Sequence, residues 1–141
     1  MKIIREIRDQ SGKLIFRRWE LLRTPWFSVF LHGMYAREGD QDLHCHDHPW
    51  SFFSMVLWGG YFEVQHNTAE QWFRTRGIGS MAFQKASGQC HRILGLLGAK
   101  SYSLVVAGRR TRAWGYWTQD GWVDNVTYRK RKRAGLLRVV R

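Results

Sequence analysis

Three histidines at every second position form the part of this sequence best suited to chemistry. They are His44, His46 and His48, in the segment HCHDHPW. In an extended strand, side chains two residues apart point to the same face, so these three would share one face of a sheet. Imidazole nitrogen is a common ligand of divalent metal ions. The segment therefore predicts a metal site, and the alternative is three imidazoles that share a strand face without a metal.

Strand geometry limits which of these histidines can bind the same ion. A rise of ~3.3 Å per residue puts neighbouring members of the trio ~7 Å apart and the outer two ~13 Å apart. Because a histidine nitrogen must approach a metal to ~2.1 Å, either the first two or the last two can chelate together, but the outer two cannot. A third ligand must come from another strand. His91 is the best-placed candidate, and His32 and His66 are reserves.

Alternation along the same segment sends its other polar residues to the opposite face. Asp47 is therefore not expected to be a ligand and could brace a neighbouring loop. Cys45 and Cys90 each adjoin a candidate ligand, and we expect both to pack as small residues in the opposite layer. Two cysteines are too few for a disulfide framework, which favours reduced thiols and a cytoplasmic location.

The elements that must position the histidines are short strands. The chain has 141 residues, of which 44% are hydrophobic and 15% aromatic, and glycine turns separate its apolar runs at roughly 8–12-residue spacing. No stretch has sustained helical periodicity, so the pattern predicts an all-β sandwich or barrel in one domain over residues 1–128. A hairpin is predicted over about residues 1–20, with its turn at Gln10-Ser11-Gly12. The apolar stretches fall short of the ~20 residues of a membrane-spanning helix, and we expect no membrane segment.

Beyond this pattern, the segments HDHPW, LWGGYFE and GQCHRI resemble the two signature motifs of the cupin superfamily, over roughly residues 26–128. In the first motif an H-x-H pair is followed after three or four residues by a glutamate, and later by a glycine. Here His46 and His48 form the pair, and Gly59 or Gly60 is the glycine. Phe52 or Phe53 stands where the glutamate would be. The second motif ends P-x-G-x-x-H, and Ala86, Gly88 and His91 occupy those places.

The resemblance implies a double-stranded β-helix, the jelly-roll barrel of cupins, with an N-terminal hairpin. Because the glutamate is missing, it implies a three-histidine centre of His46, His48 and His91, as in the cupin-type thiol dioxygenases. His44 is then a possible ligand, better placed beside the metal ligands or at the pocket mouth. The motifs look most like those of small single-domain cupins from bacterial and phage genomes. Cupin barrels often pair through edge strands, so a homodimer is expected.

The expected function is a metal-dependent cupin that acts on a small, anionic molecule. Three neutral imidazoles leave a divalent ion its full charge and open coordination positions. Fe(II) and oxygenation are favoured, while Zn, Mn and Ni remain possible because imidazole does not choose among them. An alternative function is a non-catalytic cupin that captures a nucleotide-like or sugar-like ligand.

Arginines and aromatic residues are the candidate contacts for that small molecule, since guanidinium groups bind carboxylate or phosphate with two parallel hydrogen bonds. The wider set comprises Arg74, Arg76, Arg92, Arg109, Arg110, Arg112, Trp58, Tyr61, Trp114, Tyr116 and Trp117. From it, we expect the substrate-binding residues to be Arg74, Arg92, Arg110, Tyr61 and Trp114. The alternative is that the arginines are solvated and the aromatic rings pack the barrel. Glu63 is the only acid close to the metal motif.

The net charge of +12 is concentrated at the C-terminus. Residues 129–141 hold seven basic side chains and no acid, whereas the other 128 residues hold 16 basic and 11 acidic ones. Such a basic segment could bind the phosphates of a nucleic acid through counterion release. It could equally be a solubilising tail. A nucleic-acid-associated protein is therefore the third functional hypothesis.

Overall fold

The computed structural model describes residues 1–9, 11–36, 44–67 and 69–136. Along these residues the strands are β1 (Lys2–Arg8), β2 (Leu14–Arg23), β3 (Ser28–Tyr35), β4 (Cys45–His46), β5 (Phe52–Trp58), β6 (Tyr61–Asn67), β7 (Gln71–Arg76), β8 (Met81–Gln84), β9 (Gln89–Leu96), β10 (Lys100–Ala107), β11 (Gly115–Thr118) and β12 (Gly121–Asp124). One helix, α1 (Asn125–Arg133), follows them in the described part of the chain. The all-β class predicted from the sequence is confirmed.

Two six-stranded antiparallel sheets build the molecule. The first has the order β1-β2-β3-β10-β5-β8, and the second has the order β12-β11-β4-β9-β6-β7. Neighbours in each sheet are mostly distant in sequence, as a jelly-roll requires. The faces alternate clearly in β10, where every second residue is buried. The buried side of the first sheet contributes an apolar cluster of Phe30, Phe52, Val105 and Ala107, against which Trp50 packs.

The N-terminal hairpin is confirmed. Strands β1 and β2 pair antiparallel, and the Asp9 carboxylate accepts hydrogen bonds from the backbone N–H groups of Ser11 and Lys13 in the turn. Gly12 adopts φ +86°, a conformation that favours glycine. Strand β2 then continues past the hairpin to pair with β3, so the hairpin extends the first sheet.

The C-terminal end differs from the sequence interpretation, which predicted no helix. Strand β12 ends at Asp124, whose carboxylate caps α1 by accepting from the backbone N–H groups of Val126 and Thr127. Tyr128 is 1% exposed and anchors the helix on β11 and β12. The first residues of the basic segment, 129–133, are therefore helical, and the boundary predicted after residue 128 falls within α1. No helix of the described residues is long and apolar enough to cross a membrane.

Candidate metal centre

Two neighbouring strands of the second sheet bring three histidines together. His46 in β4 lies directly opposite His91 in β9, and His48 follows β4 by two residues. Their ring centroids are 4.7 Å (His46 to His91), 5.0 Å (His46 to His48) and 4.9 Å (His48 to His91) apart. One nitrogen from each ring lies within 4.8 Å of the others. This arrangement can hold a divalent metal ion, as the sequence predicted for these residues.

A buried carboxylate orients one of the three rings. His91 Nδ1 donates to Glu63 Oε2 at 2.9 Å, which leaves His91 Nε2 with its lone pair. The other carboxylate oxygen of Glu63 accepts from Arg76 Nε at 2.6 Å. Burial raises the pKa of Glu63, but the hydrogen bonds and charges of His91 and Arg76 outweigh this effect and the pKa is lowered. Glu63 is therefore ionised at neutral pH although it is only 1% exposed.

The other two rings present nitrogen atoms that suit an ion. His46 Nδ1 is buried and has no hydrogen-bond partner among the described residues. His48 Nδ1 lies 3.3 Å from the amide nitrogen of buried Gln84. A half-turn of that amide would present its oxygen to Nδ1–H and leave Nε2 for a metal. The donor set therefore fits a divalent ion, because such an ion would give buried His46 Nδ1 the partner that it lacks among the described residues.

Burial keeps the same two rings neutral. Desolvation is the main cause that holds the pKa of His46 and of His48 well below its usual range. A neutral imidazole offers a lone pair to a metal, whereas the protonated form does not. The pair is thus in a ligand-competent state at pH 7.

Phe52, one of the two residues at the place of the motif's glutamate, packs against the histidines. Its ring lies 4.7 Å from that of His48 and 6.4 Å from that of His91. The three-histidine cluster includes no carboxylate oxygen from the described residues. This agrees with the three-nitrogen donor set that the cupin resemblance implies.

His44 lies outside the cluster. Its Nδ1 is 2.9 Å from the Tyr128 hydroxyl, and its side chain is buried. Tyr128 in turn stacks on Tyr116 at 3.7 Å, and the Tyr116 ring is 5.9 Å from that of His46. His44 therefore links helix α1 to the wall of the site and is not one of the clustered ligands, as the ~13 Å separation of the outer trio members requires.

Asp47 braces the loop that precedes β11, which the sequence could not identify. Its Oδ1 accepts from the backbone N–H of Gly115 at 2.7 Å. Its Oδ2 accepts from Trp122 Nε1 at 2.9 Å and lies 2.7 Å from Arg112 Nη1. These contacts fix the segment that carries Trp114 beside the histidines.

The two cysteines occupy the face opposite the histidines. Cys45 and Cys90 are free thiols in a buried cluster with Val64. A hydrogen bond between the two thiols lowers the pKa of Cys45 and raises that of Cys90. They pack behind the ligand strands, as alternation predicts.

The arginines expected to contact substrate do not join the cluster. Arg74 on β7 and Arg110 before β11 are exposed. Arg92 follows His91 directly, so alternation turns it to the other face, where its charge contributes to lowering the pKa of Cys45. These positions follow from strand alternation and exposure, and the interpretation of the three arginines as substrate contacts stays a prediction.

The aromatic candidates differ in where they lie relative to the three histidines. Trp114 is 6.2 Å from the His46 ring and is the one expected contact that meets the described cluster. Tyr61 is buried at the start of β6, and this burial raises its pKa. Trp58 and Trp117 are more than half exposed.

Sequence reasoning missed two cations near the histidines, Arg5 and Arg18. Arg18 Nε donates to His32 Nε2 at 2.9 Å, and the charge of Arg18 adds to burial in lowering the pKa of His48. The charge of Arg5 acts in the same sense on His46. The missed signal was the pair of arginines in IFRRW, since strand alternation must turn one of two adjacent arginines inward.

Comparison with known proteins identifies the fold. No protein-family model matches the sequence, and no curated protein matches it. Among solved structures, Fe(II)-HppE with the alternative substrate (S)-1-HPP is 16% identical, with a TM-score of 0.57 over 74% of this chain and 54% of that chain. The DMSP lyase DddQ from Ruegeria pomeroyi DSS-3 is 19% identical, with a TM-score of 0.54 over 71% of this chain and 50% of that chain.

The polyketide cyclase RemF from Streptomyces resistomycificus is 20% identical, with a TM-score of 0.52 over 69% of this chain and 68% of that chain. This chain spans about half the length of the HppE and DddQ chains. Likeness at these identities shows the fold alone, a jelly-roll of the cupin type, and confirms the fold predicted from the motifs.

Proposed function

We propose that this protein is a divalent-metal-dependent enzyme of the cupin type that acts on a small anionic molecule. His46, His48 and His91 would be its metal ligands. The observation that carries the proposal is the cluster of three nitrogens within 4.8 Å, one of whose rings is held by a buried, ionised glutamate. Carboxylate–histidine–metal arrangements of this kind are typical of metal sites.

The chain's own residues prepare the site for such a role. Glu63 fixes the orientation of His91 and makes its other nitrogen more basic, and Arg76 holds Glu63 in place. Phe52 and Trp114 place aromatic ring surface beside the histidines. A divalent ion bound by three neutral ligands supplies Lewis acidity and, as iron, redox chemistry.

We assign Fe(II) as the metal and oxygenation as the reaction. Three neutral imidazoles suit Fe(II) as well as Zn, Mn or Ni, so the ligand types alone do not decide the metal. The similarity in fold to an Fe(II)-containing structure supports iron. The absence of a carboxylate from the described cluster supports the three-histidine type of oxygenase that the motifs resemble.

Elemental analysis of the purified, tag-free protein tests the centre. We expect about one iron per chain after anaerobic reconstitution with Fe(II), and loss of that iron in a His46→Ala/His91→Ala variant that stays folded by circular dichroism. His66→Ala is the matched control, because His66 lies opposite Cys90 in β9, away from the cluster, and should keep the metal.

Two outcomes would contradict the proposal. A folded wild-type protein that binds no divalent metal would remove the centre itself. Stoichiometric zinc in the protein as isolated, with no oxygen consumed by the iron-loaded form across a panel of small carboxylates and phosphates, would contradict oxygenation and favour ligand capture.

A further inference from the structure

A row of polar side chains crosses the inner face of the first sheet. The register pairs Arg5 with Arg18, Arg18 with His32, and His32 with Ser103, across strands β1, β2, β3 and β10. Directly opposite residues of antiparallel strands share a face. By alternation this face also carries the core residue Phe30. Charged and hydroxyl groups therefore line the inner side of the sheet that carries the apolar core.

Arg18 is the central cation of this row. Its Nε donates to His32 Nε2 at 2.9 Å, and its guanidinium carbon lies 5.1 Å from the Phe30 ring and 5.5 Å from the Trp50 ring. Burial, followed by the charge of Arg5, lowers the pKa of Arg18 to about 10, so the group stays charged at neutral pH.

That charge has no counter-ion in the described part of the chain, where no carboxylate lies within 4.0 Å of Arg18. The described arginines with carboxylate partners at this distance, such as Arg76 and Arg112, show that the fold pairs other cations. A desolvated cation without an anion is costly, and a bound anion would offset that cost. The guanidinium lies over two aromatic rings, and its planar fork of N–H groups suits a carboxylate or a phosphate.

Hydroxyl groups next to Arg18 and His32 have no partner either. Ser103 Oγ, opposite His32, and Ser101 Oγ, on the same face of β10, are buried without a hydrogen bond among the described residues. Ser103 is 4% exposed and Ser101 is fully buried. A buried hydroxyl usually has a hydrogen-bond partner, so these two offer donors to a bound water or to an atom of a ligand.

The row lies close to the three histidines. His32 stacks on Phe30, with ring centroids 6.2 Å apart, and Phe30 packs in one buried cluster with Phe52. Phe52 connects the two groups, because it packs in the cluster of Phe30 and against His48.

We infer that Arg18, His32 and Ser103 form an oxyanion subsite beside the three-histidine cluster, which binds the carboxylate or phosphate group of a small ligand. The inference rests on the proposed function for the role of the subsite, since it would hold a substrate by its anionic end. Arg18 supplies the charged fork, Ser103 a hydroxyl donor, and His32 the acceptor that orients Arg18.

Titration of the metal-free protein with inorganic phosphate and with acetate tests the subsite by calorimetry. We expect Arg18→Gln to weaken binding about 10- to 100-fold, the loss typical of a charge-assisted hydrogen-bonded pair. Arg17→Gln is the matched control, because Arg17 is the adjacent arginine, points to the other face and pairs with Glu6. This variant should change anion binding less than about twofold, because the loss of an exposed ion pair has only a small energetic effect. The stronger of the two probes identifies the class of anion.

A second measurement does not depend on the folding of the variant. In wild-type protein with isotope-labelled arginine, the Nε–H signal of Arg18 should shift on addition of phosphate or acetate, while that of Arg17 should not. No shift, or equal binding by wild-type protein and folded Arg18→Gln, would overturn the inference. Phosphate binding at least tenfold tighter in a Glu38→Gln/Asp40→Asn/Asp42→Asn variant would also overturn the inference. That result would mean that these acids, which lie outside the described residues, already neutralise Arg18.

Metal content measured on the same samples separates this inference from the proposed function. Metal retained by Arg18→Gln together with weakened anion binding supports both. Anion binding that depends on Arg18 in a wild-type protein that takes up no metal supports the subsite and contradicts the metal-dependent function. Metal binding without any anion binding overturns the subsite alone.

Discussion

The hydrogen bonds of the three histidines decide which of their ring nitrogens can bind a metal. His91 donates to Glu63, and Glu63 is held by Arg76, so one histidine ring of the cluster is fixed by a chain of buried groups. His46 offers a buried nitrogen with no other partner in the described residues. The site therefore combines His91, whose ring is held in one orientation, with His46, whose buried nitrogen would gain a partner on binding a metal.

At the residue scale, Glu63→Gln should weaken metal binding about 10- to 100-fold, the usual effect of losing a carboxylate behind a ligating histidine. The amide has one acceptor oxygen for two donors, and Arg76 would lose its counter-charge. Competition with a chromophoric chelator measures the affinity. Glu70→Gln, which changes an exposed acid, serves as the control, and equal affinities in the two variants would refute the role of Glu63.

At the scale of elements, a two-residue strand carries the centre of the site. Strand β4 is held between β11 and β9, and Asp47 ties its end to Gly115. Turns set the spacing of the longer strands around it. Gly59, between β5 and β6, has φ +68°, and an added Cβ would overlap the carbonyl oxygen of Lys100. The position of Glu63 in β6 thus depends on a turn that only glycine fits.

Gly59→Ala should lower the free energy of unfolding by about 2–4 kcal/mol, because backbone strain and overlap with Lys100 add together. Gly79→Ala isolates the strain: Gly79 has φ +81° but open space around it, and about 1 kcal/mol is expected. Urea denaturation of both variants measures the difference. Equal losses of stability would show that the contact with Lys100 is relieved at no cost.

At the scale of the whole molecule, helix α1 changes how the basic segment is presented. Its last turn carries Lys130, Arg131, Lys132 and Arg133, and Tyr128 fixes it to the second sheet. The charges of residues 129–133 are therefore held on an ordered surface. Whether that surface binds nucleic acid stays a prediction.

If the helix binds phosphates, Lys130→Gln/Arg133→Gln should weaken binding to a short DNA duplex and reduce the slope of log affinity against log salt by about 2. Fluorescence anisotropy at several salt concentrations measures both quantities. A Lys2→Gln/Lys13→Gln variant removes the same charge at the other end of the chain. An unchanged slope in the helix variant would exclude this surface as the binding site.

The homodimer expected from the cupin resemblance also stays a prediction. Sedimentation equilibrium at micromolar concentration should give twice the 16.7 kDa mass of one chain. A single species at 16.7 kDa would contradict it.

Short-range patterns in the sequence determined much of this protein. Spacing alone left two possible chelating pairs, His44/His46 and His46/His48, with His46 in both, and it turned Cys45 to the other face. The glycines between apolar runs predicted strands in an all-β fold. These inferences succeeded because side-chain alternation is a property of each strand by itself. The cupin motifs added the jelly-roll and named His91 as the third ligand.

Tertiary structure decided which residues are the hydrogen-bond partners of these side chains. The partner of His91 is 28 residues away in Glu63, and the loop that Asp47 braces is 68 residues away at Gly115. It also decided that Arg18 faces inward while Arg74 and Arg110 are exposed, and that a capped helix follows β12. Strand register and sheet order bring such residues together, and neither is encoded in the local periodicity of any one segment.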